Sequence, residues 1–163
     1  TGLQIDAARL MQTDGQPACD VAARAGTNDV ALFDRIVHLP CPGGMPLACS
    51  VNAGASPAWK QAAPHWLQAL GFAPQAMQDA PGLVVARTLA MLINEAADAV
   101  QQGVCSPDGA DAAMKLGVNY PAGPFEWLAA WSRDGVIAVL DALDATYRGE
   151  RYRVSPWLRR LAR

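Results

Sequence analysis

The side chains of this 163-residue sequence best suited to moving a proton or acting as nucleophiles are two histidines, His38 and His65, and four cysteines, Cys19, Cys41, Cys49 and Cys105. They are scattered. No two cysteines form a C-x-x-C pair, so a zinc site would have to be assembled from distant ligands, and no metal centre is expected. Reduced thiols of a cytoplasmic protein are the simpler reading. His65, between Pro64 and Trp66 in a helical pattern, reads as packing or surface. His38 follows the apolar run 29–36, where a strand would end. A histidine there becomes a general base only if another group holds its second ring nitrogen and a carboxylate stabilises the imidazolium.

A second set of polar groups, Asn94, Glu95 and Asp98, shares one edge of a long helical pattern, and i to i+4 spacing lets Asn94 meet Asp98. Such an edge suits the lining of a cleft, though a solvated or interface edge is the plainer reading. Six of the thirteen basic residues (Arg148, Arg151, Arg153, Arg159, Arg160 and Arg163) fall in the last sixteen positions. They read first as a solvated face and second as a contact for phosphates or a partner's acids. The phosphate-cradling G-x-G-x-x-G turn is absent from the sequence, so no dinucleotide site is expected in it.

Fifteen acidic and thirteen basic residues leave a net charge of −2, too near zero to imply nucleic acid or an anionic membrane surface as a partner. No apolar run approaches the roughly 20 residues that a membrane helix needs. The opening Thr1-Gly2-Leu3-Gln4 resembles neither a secretory nor a transit segment. The absence of an initial Met suits a piece of something longer.

The elements that must position these side chains divide near residue 80, at Asp79-Ala80-Pro81-Gly82. In the first part, 29–36 and 46–51 read as buried strands. Residues 17–25 read as a helix closed by Gly26, and Ser56-Pro57 as the start of a helix running to Leu70, which Pro64 must kink or restart. An extended stretch at 72–78 completes a strand-helix-strand unit, hence parallel pairing. In the second part a helix of about 33 Å runs from Pro81 to Gln102, with Val85, Leu89, Leu92, Ile93, Ala96 and Val100 as its stripe. A short helix from Ser106-Pro107 stops at Gly117, with Asp108 and Asp111 near its positive end. Pro124 opens another, Asp134 caps 135–147 with the stripe Val136, Val139, Leu140 and Leu143, and Ser155-Pro156 starts a last turn.

The order Pro81-Gly82-Leu83-Val84-Val85-Ala86-Arg87, Asn94-Glu95-Ala96, Gly103-Val104-Cys105-Ser106-Pro107, Asp111-Ala112-Ala113-Met114-Lys115-Leu116-Gly117 and Tyr120-Pro121-Ala122-Gly123-Pro124-Phe125-Glu126 resembles the C-terminal domain of 3-hydroxyacyl-CoA dehydrogenases. The tail, with Arg151-Tyr152-Arg153 and Ser155-Pro156, is similar to bacterial members, including 3-hydroxybutyryl-CoA types, that carry a second copy of this domain. The family pattern puts His38 at the position of its catalytic His, Ser50 at that of the Glu that orients it, and Ala86 at that of a helical Asn. The resemblance therefore implies a degenerate second copy. Ser50 brings no charge and Ala86 no hydrogen bond to His38, which is left as a vestigial candidate, or more plainly as a loop histidine.

The expected fold is α+β and mostly α: a truncated, Rossmann-like βαβ segment over 1–80, then an all-α dehydrogenase-type helical bundle over 81–163. The expected role is a non-catalytic part of a 3-hydroxyacyl-CoA dehydrogenase, itself binding no cofactor, with NAD used by the parent enzyme. Its partners would be its own N-terminal dehydrogenase domain, a second copy in a homodimer, and an acyl-CoA whose cleft Asn94, Glu95 and Asp98 would line. The 81–102 helix is apolar nearly all round, so burial of Met91 and Leu92, with Trp127 and Trp131, is assigned to the dimer interface. Two other readings stand beside this one: an autonomous acyl-CoA-binding or regulatory module, and a small complete enzyme using His38 with a cysteine.

Overall fold

The computed structural model describes residues 2–37 and 44–160, so His38, Cys41 and Leu161 lie outside the described residues. The chain forms two compact units, which divide after Ala86.

The first unit holds a five-stranded sheet in the order β1 (Gly2–Ile5), β2 (Ala8–Gln12), β3 (Val30–Phe33), β4 (Met45–Val51), β5 (Phe72–Ala76). Pairing alternates: β1 with β2 antiparallel, β2 with β3 parallel, β3 with β4 antiparallel, β4 with β5 parallel. Each parallel pair is bridged by a helix, α1 (Ala18–Ala25) between β2 and β3, and α2 (Pro57–Ala69) between β4 and β5. The two helices cover opposite faces. Val30 and Leu32 pack with Ala18, Val21 and Ala22 of α1. Ala31 and Phe33 pack with Trp59, Ala63 and Leu67 of α2. All four β3 residues are thus buried, which is why that segment reads as an uninterrupted apolar run. The parallel β4–α2–β5 unit agrees with the sequence reading. The hairpin of β1 and β2 was not legible, because its turn contains no glycine and Asp6 itself adopts the left-handed φ of 51°.

Pro64 neither ends nor restarts α2, which is a single element through it. Burial of Trp59, Ala63 and Leu67 on the sheet offsets the one backbone bond that Pro64 removes. The exposed His65 ring donates from Nδ1 to the Gln61 carbonyl at 2.7 Å, a surface role.

The long helix α3 (Val85–Gln101) begins four residues after Pro81, since Pro81–Val84 form a turn in which Leu83 has a φ of 46°. Its buried face is Ala86, Leu89, Ala90, Ile93, Asn94 and Ala97, leaving Val85, Leu92, Ala96 and Val100 of the expected stripe half-buried. Beside Leu89 and Ile93, the small Ala86, Ala90 and Ala97 turn inward and allow close helix packing.

The second unit continues with α4 (Pro107–Val118), α5 (Pro124–Trp131), α6 (Arg133–Tyr147), a 3₁₀ turn (Glu150–Tyr152) and α7 (Pro156–Arg160). Helix α4 passes through Gly117 and stops at Asn119, whose φ of 56° supplies the left-handed cap. The cap of α6 is Ser132, whose Oγ accepts from the Gly135 N–H at 3.2 Å; Asp134 lies inside the first turn, paired with Arg133. The stripe Val136, Val139, Leu140 and Leu143 is buried as expected. No helix among the described residues is long and apolar enough to cross a membrane.

Candidate functional site

In a dinucleotide-binding βαβ unit the exposed N–H groups at the helix start receive the phosphates. At the start of α1 that position holds the chain's own Asp79, whose Oδ1 accepts from the Ala18 N–H at 2.6 Å and whose Oδ2 accepts from the Cys19 N–H at 2.9 Å. The residue before the helix is Pro17, which has no side chain able to cap, so a carboxylate from 60 or so positions away takes that role. Asp79 Oδ1 also accepts from Ser50 Oγ at 3.3 Å. Ser50, 1% exposed on β4, is therefore tied to a structural carboxylate.

Ala86 is fully buried, and its backbone N–H donates to Asp34 Oδ1 at 2.9 Å. Asp34, also 0% exposed, accepts from the Val84 and Val85 N–H groups through Oδ2 at 2.8 and 2.7 Å, and from its own neighbour Arg35 at 2.7 Å. It lies directly after β3 and closes the start of α3. The same device recurs twice. Asp29, just before β3, accepts from the Ser56 N–H at 2.6 Å and from Ser56 Oγ at 3.0 Å, bracing the cap of α2. In the second unit Asp111 accepts from the Phe125 and Glu126 N–H groups at 2.7 and 3.2 Å, so it serves the start of α5 and not the positive end of α4. None of these four aspartates was singled out from the sequence as a remote cap. The signal of Asp29 and Asp34 is an isolated acid flanking a buried apolar run, and that of Asp111 an acid inside a helix and short of a Pro-initiated neighbour; Asp79 carries neither.

Residues 86 and 50 thus form no acid-base pair. Neither Cys19 nor Cys49 is an activated nucleophile. A thiol at a helix start is ordinarily acidified. At Cys19 partial removal from water, then the hydrogen bond and charge of Asp79 and the charge of Asp20, push the thiol above its usual range. Burial does the same to Cys49. Among the described residues no group of three or more His, Cys, Asp or Glu is placed to hold a metal.

The polar trio on α3 separates in space. Asn94, 2% exposed, does not meet Asp98: its Nδ2 donates to the Arg153 carbonyl at 3.0 Å, and its Oδ1 accepts from the Ser155 N–H at 2.7 Å, fastening the C-terminal segment. Asp98 accepts from Arg153 Nη2 at 3.0 Å. Glu95 instead lines a cavity of about 270 Å³ with Met91, Leu92, Arg87, Arg151 and Tyr152. Arg87 is held there by the Tyr147 hydroxyl at 2.9 Å, its guanidinium 5.2 Å from that ring's centre. One cleft residue and two interface residues from the sequence reading therefore share a mostly apolar concavity. Of the tryptophans assigned to an interface, Trp131 is half-buried, whereas Trp127 is 9% exposed and packs on Tyr120 with ring centres 5.6 Å apart. Of the terminal arginines, Arg159 pairs with Asp141 and Arg160 with the Gln101 side chain.

Residues 82–163 match the family model described as 3-hydroxyacyl-CoA dehydrogenase, C-terminal domain. Residues 10–81 match that of the 3-hydroxybutyryl-CoA dehydrogenase reduced Rossmann-fold domain. The 3-hydroxyadipyl-CoA dehydrogenase of Escherichia coli K12 is 35% identical over 159 residues, which cover 98% of this chain and 32% of that protein. A probable 3-hydroxybutyryl-CoA dehydrogenase of Deinococcus radiodurans is 37% identical over 92 residues, 56% of this chain and 33% of its own length. Among solved structures, a 3-hydroxybutyryl-CoA dehydrogenase of E. coli K12 superposes with a TM-score of 0.88 at 35% identity, over 97% of this chain and 32% of the other. The (S)-3-hydroxybutyryl-CoA dehydrogenase of Ralstonia eutropha gives 0.73 at 27% identity, over 92% of this chain and 53% of the other. The chain spans about a third of the length of the E. coli protein that it matches almost throughout. A reduced Rossmann-type segment followed by the helical domain is the expected architecture, and the chain belongs to the 3-hydroxyacyl-CoA dehydrogenase family.

Proposed function

We propose that this chain is the non-catalytic module of a 3-hydroxyacyl-CoA dehydrogenase, built to supply association surface and one wall of the substrate cleft. Residues 1–80 would form its Rossmann-type remnant and 81–163 its helical domain. The N-terminal dehydrogenase domain of the parent would hold NAD and oxidise the 3-hydroxyacyl-CoA to the 3-oxo ester. The single observation that carries this reading is the Asp79 carboxylate on the start of α1. A pyrophosphate placed there would meet a fixed negative charge instead of open N–H groups, so the residues present do not fit NAD. Ser50 and Ala86, both dry and engaged elsewhere, support the same conclusion about His38.

The half-buried Met91 and Leu92, with Trp131, are the surfaces we assign to a homodimer, and Glu95 to the cleft. Three described cysteines are free thiols, which suits a cytoplasmic location. The test is direct: purified chain, NADH and acetoacetyl-CoA, followed by absorbance and NADH fluorescence. No turnover and no saturable fluorescence change are expected. Micromolar NADH binding, or turnover lost in His38→Ala, would overturn the assignment. A reading as an autonomous acyl-CoA-binding module rests on the cavity flanked by Arg87 and Arg151. Calorimetry with an acyl-CoA distinguishes it, since a purely associating module gives no heat.

A further inference from the structure

In the first unit, a cavity of about 400 Å³ opens between the β1–β2 turn and the outer half of α2, with Ile5, Asp6, Asp29, Trp59, Ala62 and Trp66 on its wall. Positions 59, 62 and 66 fall on one helical stripe, so both indoles and a small alanine face it together. Trp59 is anchored in the core at 6% exposed, while Trp66 leaves 43% of its surface in water, an unusual outlay of the largest apolar side chain. The Trp59 indole N–H is buried and finds no acceptor among the described residues.

The electrostatics are one-sided. Asp6 and Asp29 are the charged residues of the wall, and no basic side chain belongs to it. Asp29 is committed to Ser56, whereas the Asp6 carboxylate, on the exposed turn, has no partner among the described residues. The nearby bases are engaged elsewhere. Lys60 donates to the Ala53 carbonyl at 2.7 Å. Arg9 alternates to the opposite face from Ala8 and Leu10 and donates to Gln4 Oε1 at 2.7 Å. The wall thus offers two indole faces and one carboxylate without a partner, that of Asp6, with no basic side chain beside it.

We propose that this cavity binds a small organic cation, a primary ammonium carried on a flat apolar body. The rings would take the body and attract the charge, and Asp6 would accept the ammonium hydrogens. The volume lies within the range of small-molecule sites, roughly 300–1,000 Å³.

Phenethylammonium is the probe, titrated into the whole chain and followed by tryptophan fluorescence. The neutral isostere 2-phenylethanol and the anion 3-phenylpropionate are the controls. Saturable quenching by the cation is expected, about tenfold weaker with the alcohol and absent with the anion. Trp66→Ala and Asp6→Asn should each weaken cation binding about fivefold or more, with the circular dichroism spectrum unchanged. Both sites are exposed, and Asn tolerates the left-handed turn position, so the variants should fold. Absence of saturable quenching, equal affinity for the alcohol, or unaltered binding in both variants overturns the proposal.

Discussion

Replacing Asp34 by Ala removes the acceptor of three backbone N–H groups at the start of α3, besides that of the Arg35 N–H. The distances are 2.8 Å from Val84, 2.7 Å from Val85 and 2.9 Å from Ala86. The three donors are not equivalent. Ala86 is 0% exposed, so its N–H would be left dry and unpaired, at about 2–3 kcal/mol. Val84 is 44% exposed and Val85 half-buried, so water can replace most of what they lose, at about 0.5–1 kcal/mol each. The expected total is about 3–5 kcal/mol, a large part of the roughly 5–15 kcal/mol that holds a domain folded. With a urea slope of about 2 kcal/mol/M, the midpoint followed by circular dichroism should fall by about 1.5–2.5 M. Asp34→Asn keeps one carbonyl oxygen and should lose about half as much. A loss below about 0.5 kcal/mol in Asp34→Ala, or an Asn variant no better than Ala, would refute the remote-cap reasoning.

Further expectations test the second unit. A Cβ at Gly123 would overlap the Asp111 carboxyl group and push it off the Phe125 and Glu126 N–H groups. Gly123→Ala should therefore lower the melting temperature by about 5–10 °C in calorimetry, for a loss of about 2–4 kcal/mol. Asn94→Ala leaves the buried Ser155 N–H without its 2.7 Å acceptor and should cost about 2–3 kcal/mol in urea denaturation. The Lys115–Glu126 pair gives a pH signature. The hydrogen bond from Lys115, then that from the Gly123 N–H, holds the Glu126 carboxyl below its usual range, and the same pair holds Lys115 above its own. The contribution of Glu126 is complete above the ordinary carboxylate range and disappears as pH falls through its lowered value. That of Lys115 is complete below the ordinary lysine range and disappears as pH rises through its raised value. Glu126→Gln should thus trail the parent in stability between about pH 5 and 9 and converge with it in acid; a pH-independent gap would contradict this.

Elements whose signals are local could be read from the sequence. Ser56 and Ser106 cap α2 and α4, Gly26 closes α1 with a φ of 66°, and the stripe from Val136 to Leu143 is buried. Features that depend on distant partners could not. The local signal puts the start of α3 at Pro81, because the acid that sets it at Val85, Asp34, is 50 residues from Val84 in sequence. Of the stripe read on α3, Leu89 and Ile93 are buried as expected, whereas Val85, Leu92, Ala96 and Val100 are half-buried and Ala86, Ala90 and Ala97 turn inward, since hydropathy ranks valine and leucine above the alanines that close packing admits. Asn94 and Asp98 have the right spacing to pair, but Asn94 meets backbone groups at 153 and 155. Of the candidate site, the substitutions at 50 and 86 were visible as residue types. That Asp79 occupies the start of α1 was not, because nothing near Pro17 in sequence points to it.

Sedimentation equilibrium at micromolar concentration separates a chain built for association from one that works alone. The chain should sediment as a dimer, and Leu92→Glu, which puts a charge on the half-buried flank of α3, should return it to a monomer with its helical content intact. A monodisperse monomer of the unaltered chain would rule out an association surface on α3.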